Sequence, residues 1–120
     1  MNRDFLHLEL MLASIDVIRL YILNVDENEF SERGLIQDAC LMRLIVIGES
    51  AARMSDEVKE RFPEVEWREM RLARNFYAHG YDTVDWSRIW TTITTVLPQL
   101  RSKIETVLQE IDKQEESRRS

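Results

Sequence analysis

The stretch WREMRLARNFYAHGY, residues 67–81, decides how this chain is read. On a helix turning about 100° per residue, with Trp67 at zero, the apolar set Leu72, Phe76, Ala73, Tyr77 and Met70 fills the arc from about 140° to about 300°. The polar residues take the other side: Arg74 at about 340°, Arg71 at about 40°, Asn75 at about 80°, Arg68 at about 100° and His79 at about 120°. This segregation predicts an amphipathic helix from about Glu66 to Ala78 or His79, with its apolar side buried. Gly80 is a natural stop. The polar side holds only cationic or neutral groups, whereas a face kept for solubility usually mixes signs.

The same period extends in both directions. Phe5, Leu8, Leu12, Ile15, Ile18 and Ile22 recur at spacings of three and four, predicting a first helix near residues 3–24. Residues 24–29 read as an acidic loop. Asp26 and Asn28 look like the start of a calcium loop, but Phe30 and Ser31 occupy the third ligand and turn-glycine positions, so that reading fails. Ser31 is expected to cap a second helix reaching about Met54, buried through Leu35, Cys40 or Leu41, Leu44, Ile45 and Ile47. Gly48 lies inside it. A mid-helix glycine costs about 1 kcal/mol against alanine, which points to close approach of another helix. Ser55 caps a short helix, Asp56 to Arg61, stopped before Pro63.

Beyond residue 81, Asp85 caps a long last helix. Trp86, Ile89, Trp90, Ile93, Val96 or Leu97, Leu100, Ile104, Val107 and Ile111 share one side of it. Pro98 inside this helix predicts a kink near residues 94–97. Residues 114–120 read as a polar, frayed tail. No stretch alternates like a strand. The expected fold is all-α: an up-down bundle of four main helices plus a short one, one domain over residues 1–113 with the tail 114–120.

Length and composition agree. A chain of 120 residues with 44% hydrophobic and 32% charged content builds one domain with a real core. Three glycines and two prolines leave little material for long loops, sandwiches or barrels. The single Cys40 rules out an intramolecular disulfide framework and a Cys-rich zinc site, and its apolar neighbours mark it as a core residue. No run of about 18 apolar residues suggests a membrane span, and Asp4, His7 and Glu9 interrupt any signal-peptide core. The expected location is the cytoplasm. The net charge of −6 argues against a general nucleic-acid coat or a membrane-surface binder. That acidity is uneven. Arg3, Arg19 and Arg33 face Asp4, Glu9, Asp16, Asp26, Glu27, Glu29, Glu32 and Asp38 in residues 1–38, so this first third carries nearly all the negative balance.

The segment Arg74-Asn75-Phe76-Tyr77-Ala78-His79-Gly80-Tyr81 resembles the Arg-x4-His-x-Tyr motif of the HEPN superfamily, specifically the HepT-like toxins of toxin–antitoxin modules. The flanks agree. Gly48-Glu49-Ser50-Ala51 looks like the family's Gly-Glu-Ala stretch, Pro63 to Trp67 looks like the lead into the motif helix, and Asp85 with Trp90 looks like the segment after it. The likeness covers roughly residues 4–110.

The resemblance implies a metal-independent, cofactor-free endoribonuclease of a type II/VII-like toxin–antitoxin module. It implies a homodimer whose two motif helices face each other. Arg74 and His79 are then the catalytic pair, with Asn75, Arg71 and Arg68 supporting RNA binding. RNA supplies its own nucleophile, the 2′-hydroxyl, so the enzyme need only move protons and stabilise charge. Histidine exchanges protons near neutrality, and arginine's planar fork suits phosphate oxygens. Arg74 and His79 diverge by about 140° on a straight helix, a geometry that a two-fold composite site would solve. The family further implies an MNT-type nucleotidyltransferase antitoxin that transfers AMP to Tyr81. An anionic nucleotide beside His79 would repel the RNA phosphate.

Other residues read as ordinary structure: His7 as a surface or boundary histidine, Asp85 as an N-cap rather than half of a carboxylate pair with Asp82, and Trp67, Trp86 and Trp90 as packing. Two further functional classes stay open: a catalytically inactive HEPN module that partners a nucleotidyltransferase, and a purely structural helical dimer.

Overall fold

The computed structural model describes residues 3–119, and every element in it is helical. Helix α1 runs Arg3–Tyr21 and buries Leu8, Met11, Ser14, Ile15 and Ile18. It stops short of the expected end. Asn24 takes a left-handed φ of 61°, a conformation asparagine tolerates better than most residues, and the chain turns there.

Only the first half of the acidic segment, residues 24–26, is a loop. Asp26 caps a short helix α2, Glu27–Glu32, by accepting a hydrogen bond from the Glu29 N–H at 2.8 Å. Carboxylates at Glu27 and Glu29 then complement the helix N-terminus. Ser31, expected as the next cap, lies inside α2 and donates to the Asn28 carbonyl at 2.6 Å. Tertiary packing explains the choice. Phe30 on α2 is buried against Trp90 and Trp86, with ring centroids 5.1 and 6.2 Å away.

Helix α3, Gly34–Ala52, therefore starts later than expected, with Arg33 before it and no side-chain cap. It buries Gln37, Cys40, Leu41, Leu44, Ile47 and Ala51. Leu35, expected in the core, is 85% exposed because it falls on the opposite side of the helix. Burial pushes the Cys40 thiol up to about 11, which fits an inert core residue.

Ser55 caps α4, Asp56–Arg61, through the Val58 N–H. Asp4 of α1 holds this cap from both sides, accepting from the Ser55 N–H at 2.8 Å and from its hydroxyl at 2.6 Å. The motif helix α5 spans Trp67–His79. Buried Trp67 anchors its start, its indole N–H donating to the Phe62 carbonyl at 3.0 Å. After Gly80 comes a 3-10 turn, Tyr81–Thr83, and then α6, Trp86–Thr91, capped by Asp85 as expected.

Where a kink is expected before Pro98, the helix carries a widened π-helical turn, Thr92–Val96, leading into α7, Leu97–Arg119. Pro98 has no N–H to donate and crowds the turn before it, so the hydrogen-bond ladder shifts. Threonine hydroxyls take up carbonyls through this region, Thr92 donating to Arg88 at 3.0 Å and Thr94 to Trp90 at 2.7 Å. Residues 114–119 continue α7 as helix. Arg61 tethers Gln114 at 2.5 Å, and Arg118 and Arg119 sit in the last turn, where cations suit the helix C-terminus. Ser120 lies outside the described residues.

Helix α1 packs between α3 and α7, α3 packs against α5, and α2 bridges α3 and α6. The core they enclose holds Leu8, Met11, Ile15, Leu44, Ile104 and Val107. Arg101 of α7 clamps Asp16 of α1 with two hydrogen bonds, at 2.7 and 3.1 Å. No described helix is long and apolar enough to cross a membrane.

Candidate active site

The site is built where α5 crosses α3. Gly48 makes the crossing possible: a Cβ there would lie 2.4 Å from Arg74 Cβ and 2.7 Å from the Met70 carbonyl oxygen. The close approach expected of this glycine is present, and the helix that approaches is the motif helix.

This contact fixes the rotation of α5. Trp67 is buried, and Met70, Ala73, Arg74 and Tyr77 are half-buried. Leu72 and Phe76, at the heart of the expected buried side, are instead 48% and 53% exposed. The packed face is thus turned from the apolar arc toward Arg74. Helix α3 offers a bare glycine backbone here, and the arginine stem covers it with methylenes.

Arg74 is consequently not on a free cationic face. Its Nη1 donates to Glu49 Oε2, and only 23% of its side chain is exposed. Glu49 takes Arg53 on its other oxygen at 3.0 Å. The Arg53 hydrogen bond first, and then the charges of Arg74 and Arg53, hold the Glu49 carboxyl below its ordinary value despite some desolvation. Arg74 Nε is buried and has no hydrogen-bond partner among the described residues. The guanidinium is therefore anchored at one end, with its position set by α3.

The other motif residues face outward. Arg68, Arg71, Asn75 and His79 are exposed, and His79 is the last residue of α5. Arg68 and Arg71 line a depression of about 370 Å³ together with Lys59 of α4, Trp67 and Glu69. No hydrogen bond joins Arg74 to His79 among the described residues. Gly80 ends the helix by donating from its N–H to the Phe76 carbonyl at 2.7 Å, with φ at −121°. A side chain there would crowd the Phe76 carbonyl at 3.0 Å and the Thr83 hydroxyl at 3.2 Å, so glycine serves close approach rather than a left-handed turn.

Tyr81 follows in the 3-10 turn. It is 53% exposed, and its hydroxyl donates to Asp38 Oδ1 of α3. That hydrogen bond is the main reason its phenol is raised above the ordinary value. Its ring meets Trp86 edge-on at 6.1 Å. Exposed Leu72 and Phe76 join Ala73, Tyr77, Val84 and Ile89 around an apolar groove of about 400 Å³.

Three contributors were missing from the sequence reading: Glu49 as the anchor of Arg74, Lys59 beside Arg68 and Arg71, and Asp38 on Tyr81. Glu49 had a signal, since it sits next to the close-packed Gly48. Lys59 and Asp38 had none, because both arrive from other helices.

The match that decides the family is a model described as ribonuclease HepT-like, which covers residues 11–107. The chain belongs to the HepT-like ribonuclease family. Curated relatives agree. A Methanocaldococcus jannaschii protein named provisionally as an RNase is 29% identical over 99 residues, 82% of this chain and 90% of its own length. A Thermococcus cleftensis protein named provisionally as ribonuclease HepT gives the same identity and coverage. One from Caldanaerobacter subterraneus, also provisionally an RNase, is 25% identical over 86% of this chain and 92% of its own. No solved structure matches the chain significantly. Ribonuclease activity is the function that family and relatives support.

Proposed function

We propose that this HepT-like chain is a metal-independent endoribonuclease toxin of the cytoplasm, acting as a homodimer, with Arg74 and His79 as its catalytic pair. The observation that carries the reading is the contrast within the motif. Arg74 is locked against α3 by Glu49, while His79 stands exposed at the helix end. A fixed cation suits the phosphorane, whose charge builds up only in the transition state. An accessible imidazole suits proton transfer with the sugar oxygens.

In the proposed reaction the 2′-hydroxyl oxygen attacks the adjacent phosphorus, and the bond to the 5′-oxygen breaks. One proton leaves the 2′-oxygen and one reaches the departing 5′-oxygen, giving a cyclic phosphate and a free 5′-hydroxyl. His79 exchanges these protons, Arg74 neutralises the phosphoryl oxygens, and Asn75 orients the phosphate. Arg68 and Arg71, joined by Lys59, hold the flanking backbone.

Dimerisation is supported by Leu72 and Phe76. Two large apolar side chains stand exposed on the motif helix beside an apolar groove, the kind of surface a partner covers.

Regulation belongs to the same proposal: a minimal nucleotidyltransferase antitoxin transfers AMP to Tyr81, two residues from His79. Intact mass after incubation with that partner and ATP is expected to rise by one AMP, and not in Tyr81→Phe.

The direct test is His79→Ala. Cleavage of RNA should fall by at least about 100-fold while circular dichroism and melting stay as in the parent. Equal cleavage by the variant removes His79 from the mechanism. A parent dimer that cleaves no RNA at any pH yet binds the nucleotidyltransferase would instead be a binding module.

A further inference from the structure

Tyr81 is held from two sides. Asp38 of α3, 43 residues earlier in the chain, accepts the hydrogen bond of its hydroxyl. Trp86 of α6 meets the edge of its ring. The backbone beneath it is fixed too, because the Thr83 hydroxyl and N–H both donate to the Gly80 carbonyl at 2.9 Å. The ring nonetheless remains about half exposed, open to an incoming reagent. Asp38 is itself exposed, and no other hydrogen bond or ion pair uses its carboxylate among the described residues.

This contact contributes little to the stability of the fold. It ties two exposed side chains, and an exposed pair of this kind adds little stability. Its chemical consequence is larger. An acceptor bonded to the hydroxyl favours the phenol over the phenolate, and Asp38 is the charged group that acts on this hydroxyl. A phenol kept protonated is a weak nucleophile unless its proton has a destination at the moment of attack. That destination is already in hydrogen-bond contact.

We propose that Asp38 is the general base for nucleotidyl transfer to Tyr81. The inference rests on the reading that Tyr81 accepts AMP. The Tyr81 oxygen bonds to the α-phosphorus of ATP, the bond from that phosphorus to the bridging oxygen of pyrophosphate breaks, and the phenolic proton passes to Asp38 Oδ1. Pyrophosphate leaves with the electron pair. Protein kinases use an aspartate in the same way to accept a substrate hydroxyl proton. The modified oxygen no longer carries a proton, so the Asp38 contact is lost and the phosphodiester anion faces a carboxylate. That repulsion drives the nucleotide outward from α3.

The test is the time course of AMP addition by the cognate minimal nucleotidyltransferase with ATP and magnesium, followed by intact mass across neutral to alkaline pH. Asp38→Asn keeps the shape and removes the base. Its rate near neutrality is expected to fall about 100-fold and to climb with pH as phenolate forms, with Asp38→Glu restoring most of it. A rate within about twofold of the parent, or a slowing by one constant factor at every pH, overturns the base. Failure of the underlying reading looks different: the parent gains no mass, or Tyr81→Phe still gains it. A second measurement needs no partner. Phenolate absorbance of Asp38→Asn, compared with the parent and Tyr81→Phe, should show Tyr81 titrating at lower pH. An unchanged titration shows that the contact does not hold in solution and overturns the proposal.

Discussion

The inner and outer sides of the motif helix carry the same kinds of residue in different circumstances. Inside, Arg74 lies over Gly48 and is bonded to Glu49, with less than a quarter of its side chain exposed. Outside, Arg68, Arg71 and His79 face solvent. The difference teaches that a cationic face is not one functional unit. A guanidinium held by a neighbouring helix is preorganised and can act on a defined charge, whereas exposed arginines supply attraction without fixed geometry.

The comparison can be broken most directly at Arg74. Arg74→Ala should lower RNA cleavage by about 100-fold or more, as loss of a preorganised charge does. Arg74→Lys should rescue little, because lysine lacks the planar fork. If Arg74→Lys cleaves as the parent does, positioning by Glu49 is irrelevant.

Gly48→Ala attacks the inner side through packing. The added Cβ would sit against backbone as well as side chain, so the helices must part. The expected cost is about 1–3 kcal/mol, read as a lower melting temperature together with weaker cleavage. An unchanged melting temperature would mean that α5 does not pack on α3 at this point.

Glu49→Gln sharpens the contrast without a clash. Removing the anchor's charge should reduce cleavage by roughly tenfold and leave melting nearly unchanged, since the pair is partly exposed. Acid should mimic it. The Glu49 carboxyl titrates below its ordinary value of 4.5 in the folded chain, so its contribution is complete above that pH and is lost as pH falls through the lower folded value. The anchor therefore holds at neutrality, and an acid loss of the Glu49 contribution should vanish in the Gln variant. A parent and variant with identical acid profiles would count against this.

On the outer side, Arg68→Ala and Arg71→Ala should each weaken RNA binding with little change in turnover. Each lost phosphate contact should flatten the salt dependence by about 0.7 in the log–log slope for a single strand. An unaltered slope would remove that arginine from the RNA path. The smallest effect is expected at the distant clamp. Asp16→Asn, opposite Arg101, should cost at most about 1 kcal/mol in chemical denaturation and leave cleavage alone. A loss of activity there would show that the site depends on the α1–α7 contact.

Much of this molecule was legible in advance for local reasons. The 3.6-residue period, the caps at Ser55 and Asp85, and the disturbance before Pro98 are properties of short segments, and they appear in place. The misreadings share one cause. Asp26 and Ser31 are both good caps, and only burial of Phe30 against Trp86 and Trp90 selects the earlier helix. Leu35, Leu72 and Phe76 are apolar yet exposed, because residue type does not reveal which side of a helix its neighbours cover.

The sequence by itself determined that the chain is helical, that Gly48 admits a close neighbour, and that Arg74, His79 and Tyr81 stand at motif spacing. Only the tertiary structure decided the rotation of α5. It turned Arg74 inward to Glu49, left Leu72 and Phe76 uncovered, and brought Asp38 to Tyr81 across 43 residues of chain. Periodicity fixes the angles between side chains on one helix. The direction in which the helix as a whole faces depends on packing against backbones and charges supplied by other helices.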